Sequence, residues 1–141
     1  MADSETDETK ISRLNHTGTH PVHTDLAISN AIDYYLKIGA ERKEARLRYL
    51  QNYWTGKVKN LPRVILNTPS DPTRSCAIAN VGIKGMKPKE LAETLLKKYK
   101  IWTVAIDNEK ANVQGCRITP NLYTTTQELD VFVKALSELG A

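Results

Sequence analysis

The chain has 141 residues, 40% of them hydrophobic and 26% charged, and its formal net charge at pH 7 is +4. That length and composition are typical of one globular domain with a single core, and no apolar run approaches the roughly 18 residues of a membrane-spanning helix. The acidic start, residues 1–8, also lacks the basic end and apolar middle of a secretory signal, so we expect a cytoplasmic protein.

The chain is expected to be organised in three parts. Residues 1–12 are acidic and poor in apolar groups, which predicts a disordered tail. Residues 13–23 read as an irregular segment, because Gly18 and Pro21 interrupt it. A single domain is then predicted over residues 24–141.

Two helices are predicted to open this domain. The first begins with Thr24 or Asp25 as its cap and ends at Gly39, the usual residue for a left-handed C-cap. The second runs from about residue 41 to residue 59, and it carries an apolar stripe at helical spacing made of Leu47, Leu50, Trp54, Val58 and Leu61. Glu44 stands four residues before Arg48, the favourable order for an ion pair on a helix.

After Pro62 the pattern changes to short strands separated by turns and two helices. The four strands are predicted at residues 63–67, 75–83, 101–106 and 113–118, with a polar loop at 107–111. The third helix opens with Pro88 at its first position. The last helix opens with Thr125 and Glu128, the spacing of a capping box.

This order of elements predicts an α+β fold. Two helices are followed by two strands, a helix, two more strands and a final helix, and no internal repeat is visible. Such a chain forms an antiparallel or mixed four-stranded sheet with its helices packed on one face.

Arg117 is the main candidate for a functional side chain. It lies near the end of an apolar strand, between Cys116 and Ile118. A guanidinium is permanently charged and grips a carboxylate through two parallel hydrogen bonds, and a strand end holds it rigidly. The arrangement suits a receptor for the α-carboxylate of an amino acid. The alternative is a surface ion pair with little effect on stability.

Other polar clusters have simpler explanations. Gly18 and Thr19 can approach a phosphate, although a Gly-Thr pair is more often a turn. Three histidines lie within eight residues (His16, His20 and His23), but Gly18 and Pro21 disrupt any helix that would align them on a metal. Asp107 and Glu109 lie in a polar loop with a lysine and read as solvated charges.

Cysteines and positive charge also suggest no specific chemistry. Cys76 and Cys116 both fall in predicted strands and read as buried free thiols. Without the first ten residues, which hold four acids and one base, the chain has 19 basic and 12 acidic residues, a formal +7. The lysines nevertheless alternate with acids on helix faces, without interleaved aromatic residues, so nucleic acid is the last-ranked partner.

Three stretches carry a resemblance to a known family. They are Arg13-x-x-x-x-Gly18-Thr19-His20-Pro21, Ile38-Gly39-x-Glu41-Arg42-Lys43-x-x-Arg46-Leu47 and Arg117-x-x-Pro120-Asn121-x-Tyr123-x-Thr125. In this order they resemble the C-terminal part of class V aminotransferases, which are pyridoxal-phosphate enzymes of the aspartate-aminotransferase fold. The isopenicillin N epimerase-like branch is the most similar. The resemblance covers nearly everything after residue 12.

The resemblance implies roles for a few residues. The residue matching Arg117 receives the substrate's α-carboxylate, and the segment matching Gly18 and Thr19 reaches the cofactor phosphate in the neighbouring subunit of a dimer. The family's cofactor-binding lysine, its ring-stacking aromatic residue and the aspartate at the ring nitrogen belong to a large domain that this sequence does not match. We therefore expect a fragment or truncated product that is inactive alone and binds no pyridoxal phosphate stably.

Two questions stay open from sequence. The substrate amino acid is undefined, and the reaction is transamination, epimerisation, elimination or desulfuration; the last is disfavoured because the loop at 107–111 has no cysteine. The chain is alternatively a non-catalytic binding or dimerisation module that uses the apolar stripes of its first two helices.

Overall fold

The computed structural model of the chain describes residues 22–141. Its helices and strands follow in the order α1 (Val22–Ile38), α2 (Ala40–Val58), β1 (Val64–Leu66), β2 (Ala79–Ile83), α3 (Pro88–Tyr99), β3 (Val104–Asn108), β4 (Val113–Ile118) and α4 (Thr126–Gly140). These residues fall into two compact units, one ending at Ile38 and the other formed by Gly39–Ala141. The predicted tail and residues 13–21 lie outside the described part.

The described residues of the first unit form the helix α1. This helix begins at Val22, two residues before the predicted cap, and none of its residues is buried. It ends at Ile38 as predicted, and Gly39 follows with φ 85° and ψ 133°. The positive φ explains why glycine stands there, but the extended ψ means that the predicted left-handed C-cap is wrong.

The second unit is built on a four-stranded sheet with the order β1-β2-β4-β3, in which every neighbouring pair is antiparallel. Of the two predicted alternatives, antiparallel or mixed, the first is confirmed. Register aligns Val81 with Cys116, and Cys116 with Ala105. Because directly paired residues point to the same side of a sheet, this row forms one face, while Asn80, Arg117 and Val104 form a row on the other.

The helices α2, α3 and α4 bury the face that carries Val81 and Cys116. Cys116 Sγ donates to the carbonyl of Pro88 at the start of α3, at 3.6 Å. The rings of Trp54 in α2 and Phe132 in α4 meet edge to face at 5.2 Å. The predicted stripe of α2 is confirmed at its centre, and the buried apolar core consists of Leu50, Trp54, Val58, Ala79, Val81, Ile83, Leu91, Leu95, Cys116, Ile118, Leu129, Phe132, Ala135 and Leu136.

The predicted starts of α3 and α4 and the predicted ion pair on α2 are confirmed. Pro88 is the first residue of α3. Thr125 Oγ1 accepts from the backbone amide of Glu128 at 3.2 Å, and the Glu128 carboxylate accepts from the amide of Thr125 at 2.7 Å. These bonds complete the capping box. The pKa of Glu128 is lowered by the amide of Thr125 and by its hydroxyl, which both donate to the carboxylate. The predicted ion pair between Arg48 and Glu44 is also formed, at 2.8 Å.

Strand boundaries differ from the prediction. The first strand has only three residues, and residues 75–78 precede β2 without joining it, so Cys76 is not in a strand. β3 starts three residues later than predicted and extends through Asp107 and Asn108, because its pairing with β4 aligns Val104 with Arg117 and Asn108 with Val113. The predicted polar loop is therefore shortened to residues 109–112.

Candidate carboxylate-binding cleft

Arg117 lies at the mouth of a cleft between the end of β4, the segment that leads into β3, and the start of α4. The cleft has a volume of about 410 Å³. We call it the Arg117 cleft; its lining residues are Tyr99, Lys100, Ile101, Trp102, Thr103, Val104, Arg117, Ile118, Thr119, Pro120, Thr124, Glu128, Leu129, Val131 and Phe132.

Strand alternation explains why the arginine is available. Cys116 and Ile118 point into the core, and Arg117 between them points to the other face of the sheet, where its side chain is exposed. Across the sheet it is flanked in register by Asn80 of β2 and Val104 of β3. A rigid central strand therefore presents the cation beside the cleft.

The guanidinium of Arg117 takes part in no hydrogen bond or ion pair with the residues in the range 22–141, in contrast to Arg48. The cleft contains one acidic residue, Glu128, and its carboxylate accepts from Thr125 N and Thr125 Oγ1 at 2.7 and 2.9 Å. The surface ion pair considered as an alternative for Arg117 is thus not formed within the described part of the chain.

The rest of the cleft is largely apolar. Trp102 is 74% exposed and, with Val104 and Val131, provides a nonpolar wall. Lys100, the other cation, donates from Nζ to the carbonyl of Lys97 at 3.1 Å and thereby closes the end of α3. An arginine beside apolar surface suits a small organic anion, because the cation fixes the charged end and the wall accepts the remainder.

Gly82 in β2 and Gly115 in β4 allow these two neighbouring strands to pack closely beside Arg117. A Cβ built on Gly115 would lie 2.5 Å from Asn80 Oδ1 and closer still to the carbonyl of Val81. A Cβ on Gly82 would lie 2.7 Å from the carbonyl of Gln114. Any side chain at Gly115 would therefore push β2 and β4 apart two residues before Arg117.

The segment between β4 and α4 is fixed by local and long-range hydrogen bonds. Asn121 Oδ1 accepts from the amide of Leu122 at 2.7 Å, and the amide of Thr124 donates to the carbonyl of Asn121 at 2.9 Å. Arg46 of α2 donates to the carbonyl of Thr124 at 3.0 Å. These bonds hold one wall of the cleft, whereas Tyr123 stays 81% exposed.

Sequence reasoning identified Arg117 but missed the other cleft residues. Trp102 falls in the predicted strand at 101–106, but β3 begins only at Val104 and the Trp102 side chain is exposed. Glu128 was noted only as a cap. No local pattern brings Trp102 and Glu128 together with Arg117. The segment of Trp102 is placed by the antiparallel pairing of β3 with β4, and Glu128 is placed by the packing of α4 on the same unit.

The remaining sequence candidates are not brought together into a site. Gly18, Thr19, His16 and His20 lie outside the described residues. Asp107 accepts from Gln114 Nε2 at 2.9 Å within the β3–β4 hairpin, while Glu109 lies in the turn. Across residues 22–141 no group of three His, Cys, Asp or Glu side chains is placed to hold a metal ion. No helix in that range is long and apolar enough to cross a membrane.

Both cysteines are free thiols. Cys116 is fully buried as predicted, and burial raises its pKa, which disfavours the reactive thiolate. Cys76 is only half-buried, in contrast to the prediction, because it precedes β2 instead of forming part of it.

Comparisons with known proteins agree with this architecture. The model of the family described as Aminotransferase class-V matches residues 3–132. Isopenicillin N epimerase of Streptomyces clavuligerus is 28% identical over 130 residues, which cover 92% of this chain and 32% of that protein. The chain therefore spans about a third of that relative's length.

Solved structures show the same fold. A cysteine desulfurase from Thermococcus onnurineus NA1 superposes with a TM-score of 0.75 at 20% identity, over 87% of this chain and 32% of its own. An alanine–glyoxylate aminotransferase from Nostoc sp. gives a TM-score of 0.65 at 18% identity, over 86% of this chain and 32% of its own. With the family model covering residues 3–132, the chain belongs to the class V aminotransferase family.

Proposed function

We propose that this chain is the substrate-orienting domain of a pyridoxal-phosphate-dependent enzyme that acts on an amino acid. The observation that carries the proposal is Arg117, which opens onto a cleft without an ion-pair partner among residues 22–141. Family membership supports it, because class V aminotransferases depend on pyridoxal phosphate and act on amino-acid substrates.

Arg117 would hold the α-carboxylate of the substrate. Its planar guanidinium can donate two parallel hydrogen bonds, each of which contributes roughly 1.5–3 kcal/mol when both partners are charged. The apolar wall formed by Trp102 and Val104 excludes water from one side of this contact and strengthens it. Fixing one end of the substrate on a strand orients the bonds at its α-carbon relative to the cofactor.

The described residues do not by themselves fit the cofactor. In the Arg117 cleft the single lysine, Lys100, is bonded to the carbonyl of Lys97, and the single carboxylate, Glu128, caps α4. Within the Arg117 cleft, no free lysine is thus placed to bind the cofactor, and no free carboxylate to pair with its ring nitrogen. The contacts proposed for its phosphate, Gly18 and Thr19, rest on the family resemblance and lie outside the described residues.

The reactive chemistry would therefore come from the part of the family's enzymes that this chain does not match. Pyridoxal phosphate, when bound, supplies the electron sink for chemistry at the α-carbon. We infer that the 141-residue chain does not retain the cofactor stably and is not catalytic alone. The substrate amino acid and the reaction type are left open, since the relatives include an epimerase, a desulfurase and an aminotransferase.

A titration tests this division of labour. The purified chain mixed with pyridoxal phosphate and then desalted is expected to retain no stoichiometric visible absorbance band. Addition of the cofactor-binding domain of a class V relative should restore the band. Retention of one cofactor per isolated chain would contradict the proposal.

The role of Arg117 is tested in the same reconstituted enzyme. Loss of two charge-assisted hydrogen bonds in Arg117→Gln is expected to lower kcat/KM by about 10²- to 10⁴-fold. Arg74→Gln is the matched control, because Arg74 is an exposed arginine outside the cleft. Equal effects of the two substitutions would remove Arg117 from substrate binding.

One observation favours a second function, a non-catalytic module for dimerisation or binding. None of the residues in α1 is buried, and this helix exposes Val22, Leu26, Ile28, Ile32, Tyr34, Tyr35 and Leu36. An apolar surface of this kind is typical of an interaction site. Light scattering would support this function with a stable dimer that Ile28→Glu dissociates, and a monomer at all concentrations would contradict it.

A further inference from the structure

A second cavity lies in the unit Gly39–Ala141, between the C-terminal half of α2 and the segment that joins β1 to β2. Its volume is about 640 Å³, and it shares no residue with the Arg117 cleft. We call it the α2 cavity. Its lining residues are Gln51, Asn52, Thr55, Gly56, Lys59, Leu66, Thr68, Pro69, Ser70, Ser75 and Ala79.

Gln51 supplies the main evidence that the α2 cavity receives a ligand. The residue is only 6% exposed and lines the cavity, yet its side-chain amide makes no hydrogen bond within the described range 22–141. Its amide nitrogen and oxygen are not among the fully buried polar atoms that lack a partner in this range, so both stay accessible and can bind a ligand in the cavity. A ligand with an acceptor and a donor side by side satisfies both.

The charge of the α2 cavity defines the second feature of the ligand. Lys59 is the single charged residue in its lining, and its ammonium forms no ion pair with any residue in the described part of the chain. The other polar groups are amides and hydroxyls. A negative group on the ligand therefore meets attraction from Lys59 and no carboxylate that repels it.

Gly56 leaves the backbone of α2 open to the α2 cavity. A Cβ at this position would meet nothing within 4 Å, so packing does not explain the glycine. In the interior of a helix, glycine is less favourable than alanine. The missing side chain instead allows a ligand to approach the helix backbone.

The hydroxyl groups around the α2 cavity are held in position by the protein. Thr55 Oγ1 donates to the carbonyl of Gln51 at 2.9 Å, and Ser75 Oγ donates to the carbonyl of Asp71 at 3.0 Å. Thr68 Oγ1 accepts from the amide of Asn80 at 2.8 Å, which leaves its proton available for an acceptor in the cavity. Fixed hydroxyls of this kind bind a ligand at a lower entropic cost than mobile ones.

We propose that the α2 cavity binds a small molecule that carries an amide next to a carboxylate, such as an N-acyl amino acid or a dipeptide. The amide pairs with Gln51, and the carboxylate pairs with Lys59. The volume suits a ligand of this size. The site extends beyond the proposed role of Arg117 and does not depend on it.

The test uses amide NMR spectra of the full 141-residue chain titrated with N-acetylglycine. The probe is expected to cause saturable shifts in residues 51–59 and 68–75. Acetate lacks the amide and N-acetylglycinamide lacks the charge, and each is expected to bind about tenfold more weakly. No saturable shift with N-acetylglycine, or equal binding of acetate, would overturn the proposal.

Three variants locate the ligand. Gln51→Leu keeps the approximate size of the side chain and removes the amide. Lys59→Gln removes the charge at an exposed position. Each substitution should weaken the binding of N-acetylglycine about tenfold. Gly56→Leu should fill the cavity and abolish binding while the thermal midpoint stays equal or rises. Arg117→Gln and Lys84→Gln are the controls and should leave the shifts in residues 51–59 and 68–75 unchanged, because neither residue lines the α2 cavity. Unchanged binding in Lys59→Gln and Gly56→Leu would contradict the site.

Discussion

Arg117 and Cys116 illustrate how one position along a strand decides the chemistry of a side chain. They are neighbours in β4, and the pleat turns the thiol into the core and Arg117 to the opposite face of the sheet; Arg117 also lines the cleft. The alternation is visible in the sequence, so the identity of the candidate residue could be predicted. The lack of an ion-pair partner for Arg117 among residues 22–141 could not be predicted, because it depends on side chains from distant parts of the chain.

The surface contact between α2 and α4 is another feature that only the structure reveals. Lys57 Nζ donates to Asp130 Oδ1 at 2.5 Å and to Tyr53 OH at 2.7 Å, and Tyr53 OH donates to the same carboxylate at 2.9 Å. The bond from Lys57, followed by that from Tyr53, lowers the pKa of Asp130, and Asp130 is the largest cause of the raised pKa of Lys57. The two charged groups, Lys57 and Asp130, are exposed, so salt weakens their ion pair.

The shifted pKa values define a pH dependence. Asp130 has a lower pKa when folded, so its contribution is present above the unfolded value of about 3.9 and is lost as pH falls through the folded value. Lys57 has a higher folded pKa, so its contribution is present below about pH 10.4 and is lost as pH rises. Asp130→Asn is expected to lower the thermal midpoint at pH 7 in low salt, and the difference from the unchanged protein should shrink towards pH 3. A difference independent of pH would contradict the ion pair.

Gly115 and Gly56 offer a matched pair of substitutions with opposite expected signs. Gly115→Ala should destabilise by about 1–3 kcal/mol or more, because a Cβ would collide with the carbonyl of Val81 and the side chain of Asn80. Gly56→Ala should stabilise by about 1 kcal/mol, because the new methyl meets nothing and alanine favours the helix. Urea unfolding measures both, and a neutral or stabilising Gly115→Ala would show that the strand spacing does not require Gly115.

At the scale of elements, predictions are accurate where a feature depends on residues close in sequence, and less accurate where it depends on residues far apart in sequence. The start of α3 at Pro88 and the capping box of α4 depend on residues within one turn, and both could be recognised in the sequence. The ends of β3 depend on which residues of β4 lie opposite, which moved that strand from the predicted 101–106 to Val104–Asn108. Residues 75–78 have strand-like composition but no partner in the sheet.

The capping box of α4 is expected to contribute measurably to the free energy of unfolding, because this helix packs Leu129 and Phe132 into the core. Thr125→Ala removes the hydroxyl that accepts from the amide of Glu128, and it is expected to lower the free energy of unfolding by about 1 kcal/mol. Thr126→Ala, one residue later, lacks this capping role and is the control. Equal effects of the two substitutions in urea unfolding would show that the cap contributes nothing specific.

At the scale of the whole molecule, the two faces of the sheet differ in role: one contributes to the core, and the other carries the candidate functional residue. One face joins α2, α3 and α4 in a continuous core, and the other presents the row Asn80, Arg117 and Val104. The α+β class follows from the order and spacing of elements, which leave an antiparallel and a mixed sheet as alternatives; the structure decides for the antiparallel one. The family is shown by the match over residues 3–132. The Arg117 cleft and the α2 cavity depend on folding and could not be derived from composition or periodicity.

The central claim is that Arg117 receives the carboxylate of an amino acid, and NMR of the arginine side chains tests it most directly. In a titration of the 141-residue chain with L-alanine, the Nε–Hε signal of Arg117 is expected to shift saturably while those of the other arginines do not. Ethylamine, which lacks the carboxylate, should have no such effect. Absence of a saturable shift at Arg117, or an equal shift at every arginine, would contradict the claim.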